Sequence, residues 1–171
     1  MSSVLVVGGT AGIGLEIVRH YADAGHRVTL TGRDADRAVR LVTLKLVGYT
    51  EVVHALRSRL APDAAIVMFG GLALQRPYPG SITVSTVNGG VIGLMHAMIV
   101  ELAPIRVNVI HPGFVGDSPY WRDRDLSHAI ARTPCGRLAE MADIVDAVAF
   151  LLRNPAVNGV SLNVDGGILL G

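Results

Sequence analysis

A chain of 171 residues and 18.0 kDa is long enough for one domain with its own hydrophobic core, and a net charge of +1 argues against nucleic acid as a partner. Half of the residues are hydrophobic and 17% are charged, which points to a buried parallel sheet or an extensive subunit interface. Aromatics, at 5%, offer no stacking platform for bases.

The elements follow in chain order. Ser3 to Val7 is an apolar strand, and glycines at positions 8, 9, 12 and 14 come directly after it. "LEIVRHYADAG" sets Leu15, Val18, Tyr21 and Ala22 at helical spacing and stops at Gly25. "HRVTLTG" is a second strand, and "DADRAVR" opens a second helix with Asp34 at the N-cap. "LVTLKLVGYTEVVHALRSRL" continues helical, with Leu41, Leu44, Tyr49, Val52, Leu56 and Leu60 along one side. "AAIVMFGG" is a third strand, Ser85 to Leu102 a helix that Ser85 caps or starts, and "IRVNVIHPG" a fourth strand ended by Pro112-Gly113. Residues 139–153 form an amphipathic helix and "GVSLNVDGG" a last strand. Strands alternating with helices predict a single α/β domain over residues 1–171, a doubly wound, mostly parallel sheet covered on both faces.

Several functions are disfavoured. Cys135 is the one cysteine, fits a reducing cytoplasm, and reads as a small loop residue rather than a nucleophile. The six histidines do not pair at metal-ligand spacing. "MSSVLVVGG" lacks the basic start and the apolar length of a signal peptide. The most apolar segment, Gly89 to Val100, is too short to span a bilayer. The expectation is a cytoplasmic protein with no membrane partner.

The segment "VLVVGGTAGIGLEI" carries the strongest functional signal. Gly8 permits a tight turn off the strand, Gly12 lets backbone approach a pyrophosphate, and Gly14 lets helix pack closely on strand. The N–H groups at the helix start then favour phosphate. An ordinary tight turn is the alternative, but the position between strand and helix favours a nucleotide. The second strand ends in "TLTGRD", with Gly32 where an NAD enzyme usually carries an acidic residue and Arg33 beside it. A guanidinium pairs with a 2′-phosphate, so the sequence predicts NADP (NADPH) over NAD.

These residues carry a resemblance. "GGTAGIG" resembles the cofactor loop of the short-chain dehydrogenase/reductase family, with Val7 where a Thr is usual. "IRVNVIHPGFVGD" resembles the family's strand and Pro-Gly turn beside the nicotinamide. "RLAEMADIVDAVAFLLRNPAVNGVSLNVDGG" resembles its C-terminal helix, last strand and terminal turn. The resemblance implies a Rossmann-like domain, a nicotinamide cofactor, a small-molecule substrate, and a homodimer or homotetramer. It places the cofactor on Gly8, Thr10, Gly12, Ile13, Gly14, Arg33, Asn88, Pro112, Gly113 and Val115.

The departures from the family matter as much. Its Tyr-x-x-x-Lys motif, aligned on "GGVIGL", falls on Val84 and Asn88, and its Ser falls near Gly71. In the family the Tyr moves the proton at the carbonyl oxygen, the Lys lowers its pKa and holds the ribose, and the Ser orients the carbonyl. Val84 has no proton to give, while Asn88 can still hydrogen-bond a hydroxyl. The substitutes for the proton donor are Tyr78, in a loop before the helix, and Tyr120, after the Pro-Gly turn, with Asp117 and His111 nearby. For Tyr78 an amphipathic loop residue is the stronger reading, and for Tyr120 and Trp121 packing in a pocket or interface is. A packed strand end is the stronger one for His111. The pocket is expected between the helix beginning at Ser85 and the segment from Gly113 to Trp121.

A stretch is also missing from the middle. In the family the second helix is followed by a strand, a helix and a strand ending in Asn-Ala-Gly, whereas here Arg40 runs straight into a segment resembling the later central helix. Read literally, residues from about Ala35 to Leu60 form one helix of about 40 Å at 1.5 Å per residue, against about 17–20 Å for a strand. Either the sheet has closed up in a shortened relative, or an internal segment near Arg40–Leu41 is absent from this sequence. The overhang favours the absence. The resulting expectation is an NADP(H)-dependent oxidoreductase with an atypical proton donor. The alternative is a catalytically silent NADP-binding protein serving as a redox sensor or partner subunit.

Overall fold

Among the described residues, short runs rich in Val, Ile and Leu extend into five strands: β1 (Ser3–Val7), β2 (Arg27–Thr31), β3 (Ala65–Phe69), β4 (Arg106–Pro112) and β5 (Ser161–Val164). The computed structural model describes residues 3–9, 11–31 and 41–171. Every pairing is parallel, so each connection has to cross over a sheet face. Helix α1 (Gly12–Asp23) links β1 to β2. A π-helical stretch, Val42–Val47, leads into α2 (Gly48–Leu56) ahead of β3. Helix α3 (Ile82–Glu101) links β3 to β4, and the short α4 (Ser127–Ala131) and α5 (Met141–Arg153) precede β5. The α/β, parallel, Rossmann-like architecture is the one read from the sequence.

The strands are divided between two sheets. β1 pairs with β2, while β4 lies between β3 and β5, and among the described residues no strand pairing joins the two sheets. β1 and β3 are therefore not neighbours, and the halves have not closed up by direct pairing. Helix packing connects them instead. Val6, Ile17 and Tyr21 share one core with Ile110, Val115, Ile144, Val148 and Leu151, so α1 and α5 bridge the sheets. A second core joins β3 and β4 to α3 through Met68, Val107, Val109, Val91, Met95 and Met98. The period-2 alternation of β4 separates the two cores: Val107 and Val109 face α3, while Ile110 faces the other side.

Three element readings change. Helix α3 begins at Ile82, with Ser81 in the N-cap position, so Ser85 lies inside the first turns and caps nothing. The Ser85 hydroxyl donates to the Ala73 carbonyl at 2.8 Å instead. The helix after position 41 packs Leu46, Tyr49, Val53 and Leu60 on the second core, not the side that includes Leu41, Leu44, Val52 and Leu56. The wider π turn accounts for the rotation: the Gly48 N–H donates to the Thr43 carbonyl, five residues back. Lastly, α3 reaches 20 residues and is, by length and composition, apolar enough to cross a membrane, unlike its Gly89 to Val100 segment alone. Its Val87, Val91, Met95 and Met98 are buried in this fold. Asp34 and the Arg40–Leu41 junction lie outside the described residues or at their edge.

Candidate functional site

The glycine loop leaves the end of β1 in a shape that side chains would obstruct. Gly8 turns the chain at φ +85°, and a Cβ on Gly14 would stand 2.2 Å from the Gly8 carbonyl oxygen, inside any permitted contact. The start of α1 is thus pressed against the end of β1. Ala11 occupies the N-cap position without a side-chain cap, and no acidic residue lies in the first turn. The opening N–H groups of α1 keep their affinity for an anion. Ile13 packs its side chain against the first core, so only its backbone can face a ligand. A Cβ on Gly12 would come within 4.0 Å of Pro119, which brings the loop close to the segment after β4. Thr10 and Arg33 lie outside the described residues.

That segment starts at Pro112, the last residue of β4. The Gly113 N–H donates to the Val164 carbonyl at 2.9 Å, and a Cβ on Gly113 would meet Asp165 at 2.9 Å. Val115 is buried and bridges to Ala139, so it too offers backbone rather than side chain. Beyond it the chain folds on itself. Trp121 stacks edge-on with Phe114 at 4.9 Å and with Tyr120 at 4.6 Å, and the Arg124 guanidinium sits 4.2 Å over the Tyr120 ring. Asp117 accepts a hydrogen bond from the Met141 N–H at 2.8 Å, so it caps α5 instead of standing ready as an acid.

The other half of the site lies where β3 gives way to α3. Gly70 and Gly71 admit two side chains that would otherwise collide with them. A Cβ on Gly70 would meet the His111 ring at 2.3 Å, and one on Gly71 would meet Asn88 Nδ2 at 2.8 Å. A serine at position 71, near where the resemblance expects one, would crowd Asn88. His111 is fully buried: its Nδ1 accepts the Gly71 N–H at 2.9 Å and its Nε2 lies 2.8 Å from Ser161 Oγ. Since Nδ1 accepts, Nε2 carries the proton and donates to Ser161. Burial first, and the charge of Lys45 second, hold His111 below the usual imidazole range. It is a neutral packed histidine and not a general acid, in line with the strand-end reading.

Asn88 is 1% exposed, and its Oδ1 accepts a hydrogen bond from Lys45 Nζ at 3.0 Å. The same ammonium donates to the Gly70 carbonyl at 2.6 Å. Lys45 comes from the π-helical stretch ahead of α2, and burial lowers its pKa to about 8. A Cβ on Gly90 would meet the Leu46 side chain at 2.9 Å, so Gly90 lets this stretch close on α3. Sequence reasoning missed Lys45. The available signal was composition, because Lys45 is the single lysine among fourteen arginines and lies between two leucines in an apolar segment.

The two tyrosines considered as substitutes are both exposed. Tyr78 is 59% exposed in the loop before α3 and its hydroxyl makes no hydrogen bond among the described residues. Tyr120 is 53% exposed in the aromatic cluster after β4. Val84 and Asn88 share α3, one helical turn apart. A cavity of about 490 Å³ lies between Trp121, Arg124, Leu126, Arg137 and Glu140. No α3 residue lines this cavity, so it is a different space from the pocket expected between the segment from Gly113 to Trp121 and the helix.

With this geometry in view, comparisons place the chain among known proteins. Residues 34–169 match the family model described as "Enoyl-(Acyl carrier protein) reductase". The chain is 33% identical over 118 residues to the 3-oxoacyl-[acyl-carrier-protein] reductase of Rattus norvegicus, covering 68% of this chain and 50% of that protein. It is 36% identical over 108 residues to the 3-oxoacyl-[acyl-carrier-protein] reductase of Homo sapiens, covering 62% and 45%. The chain spans about half the length of the curated relatives it matches. Among solved structures, a small-chain dehydrogenase in complex with NADPH superimposes with a TM-score of 0.87 at 20% identity, covering 100% of this chain and 99% of that one. At that identity the likeness speaks for the fold.

Proposed function

The chain belongs to the short-chain dehydrogenase/reductase family, and from that premise we propose that it is an NADP(H)-dependent oxidoreductase acting on a carbonyl or alcohol with an unusual proton donor. The observation that carries this reading is the close approach of Gly14 to the Gly8 carbonyl, which leaves no room for a side chain at the start of α1, where the opening N–H groups have no side-chain cap. Gly8, Gly12 and the backbone of Ile13 and Gly14 would hold the pyrophosphate, with Thr10 beside them. Arg33 would take the 2′-phosphate, while Pro112, Gly113 and Val115 would offer backbone beside the nicotinamide. When bound, the cofactor supplies the hydride.

The chain's own task is to orient the carbonyl and deliver a proton to its oxygen. Val84 and Gly71 cannot do either. Tyr78 and Tyr120 are the hydroxyls we propose for the proton, each exposed enough to exchange it with water. The lack of a hydroxyl at Val84 and Gly71 supports a second reading, in which the protein binds NADP and does not turn over. Oxidation of NADPH, followed by its absorbance, separates the two. Ketones, aldehydes and the 3-oxoacyl thioesters suggested by the relatives' names are the substrates to assay. Turnover that falls in Tyr78→Phe or Tyr120→Phe, with NADPH affinity kept, would identify the donor. Binding without turnover on any carbonyl would favour the silent protein.

A further inference from the structure

The polar cluster at the end of β3 contains a charge that the family's motif position lacks. Asn88 is neutral, yet the Lys45 ammonium lies 3.0 Å from its Oδ1. Of the three protons on that ammonium, one goes to Asn88 and one to the Gly70 carbonyl. The third has no acceptor among the described residues, and Lys45 makes no ion pair there. With its Oδ1 committed to Lys45, Asn88 directs its Nδ2 toward Gly71, where β3 ends. An ammonium partly withdrawn from water is costly in a fold, and apart from its histidines this chain uses arginine for every other basic side chain.

We propose that Lys45, reaching across from the π-helical stretch, is the cation of the nucleotide site, acting with Asn88 as a two-residue donor that holds a sugar hydroxyl of NADPH. The inference rests on the NADP-binding reading above. It restores from another helix the positive charge that position 88 does not carry. Around Lys45, the titratable neighbours are His111 on β4 and Tyr49, one turn further along α2. His111 is held neutral, and burial raises the pKa of the Tyr49 hydroxyl, which bonds the Phe69 backbone. Neither supplies a competing charge near neutral pH, so the state of Lys45 sets the charge of the cluster.

Because Lys45 is the single lysine, amine labelling reads it without ambiguity once the N-terminal amine is set aside by mass spectrometry. The expected result on the full chain is acylation of Lys45 that rises with pH around a midpoint of about 8 and slows about tenfold or more under saturating NADPH. Lys45→Met should weaken NADPH binding about tenfold or more at neutral pH and remove the pH dependence of affinity above the midpoint. The exchanged pair Lys45→Asn with Asn88→Lys should recover affinity, which a merely structural lysine would not allow. Binding of NADPH by the wild type with no protection of Lys45, and unchanged affinity in Lys45→Met, would overturn this assignment and leave the cofactor reading standing. No binding by the wild type would overturn both. The labelling arm needs no variant, so misfolding of Lys45→Met cannot hide the answer.

Discussion

At the scale of single residues, Lys45 shows how a partly buried charge couples stability to pH. Its folded pKa of about 8 lies below the ordinary value of 10.5, and desolvation is the cause. Between these values the unfolded chain binds more protons than the folded one, so stability rises with pH across that window. The penalty for burying the ammonium is complete below the folded pKa and is relieved as pH climbs toward the unfolded one. Denaturant titrations should therefore show the wild type gaining up to about 3 kcal/mol on Lys45→Met between about pH 7 and about pH 11. Parallel curves for the two proteins would contradict this. Gly14→Ala is a second test: the added methyl meets the Gly8 carbonyl, and a loss of about 1–3 kcal/mol should accompany loss of NADPH binding. Tyr21 is a third, since its buried hydroxyl has no hydrogen-bond partner among the described residues. Tyr21→Phe should raise stability by about 1 kcal/mol, measured as a shift in denaturation midpoint at constant slope.

At the scale of elements, the sequence was most legible where local signals agreed. β1 was read to its exact bounds because an apolar run meets a glycine turn, and α5 was clear because its apolar face repeats at helical spacing and Glu140 and Asp143 form a capping box. The start of α3 was misread because Ser81 and Ser85 are equally plausible caps in sequence. Only in the fold does Ser81 Oγ accept the Tyr78 N–H while Ser85 turns to Ala73. Lys45 was overlooked for a different reason. A count at 3.6 residues per turn assigns the wrong face to a stretch that widens into a π turn, and nothing local to Val42–Val47 announces that widening. The pairing of Lys45 with Asn88 spans 43 positions, which helical periodicity does not reach. Differences in strand support have a dynamic consequence. β4 is buried and paired on both sides, whereas β2 pairs only with β1 among the described residues. Amide exchange should be slowest in β4 and faster in β1 and β2, and equal protection throughout would show that the two sheets open as one unit.

At the scale of the whole molecule, the two parallel sheets of the described residues are held together by helices that share a core and, among those residues, not by a common hydrogen-bond ladder. That division is the outcome expected if the strands that normally lie between them are absent, and it leaves the two halves of the site to be brought together by α1 and α5. Gly12 at the start of α1 comes close to Pro119 in the segment after β4, so the two halves meet there. The account therefore depends on whether a chain of this length, with its glycine loop on one sheet and its Lys45–Asn88 pair beside the other, still receives the cofactor. A calorimetric titration of the mass-verified protein with NADPH, and separately with NADH, tests this most directly. The account predicts saturable binding of NADPH, tighter than that of NADH, with one site per chain. Absence of binding to both would contradict it, leaving the Rossmann-like fold as a scaffold without its nucleotide.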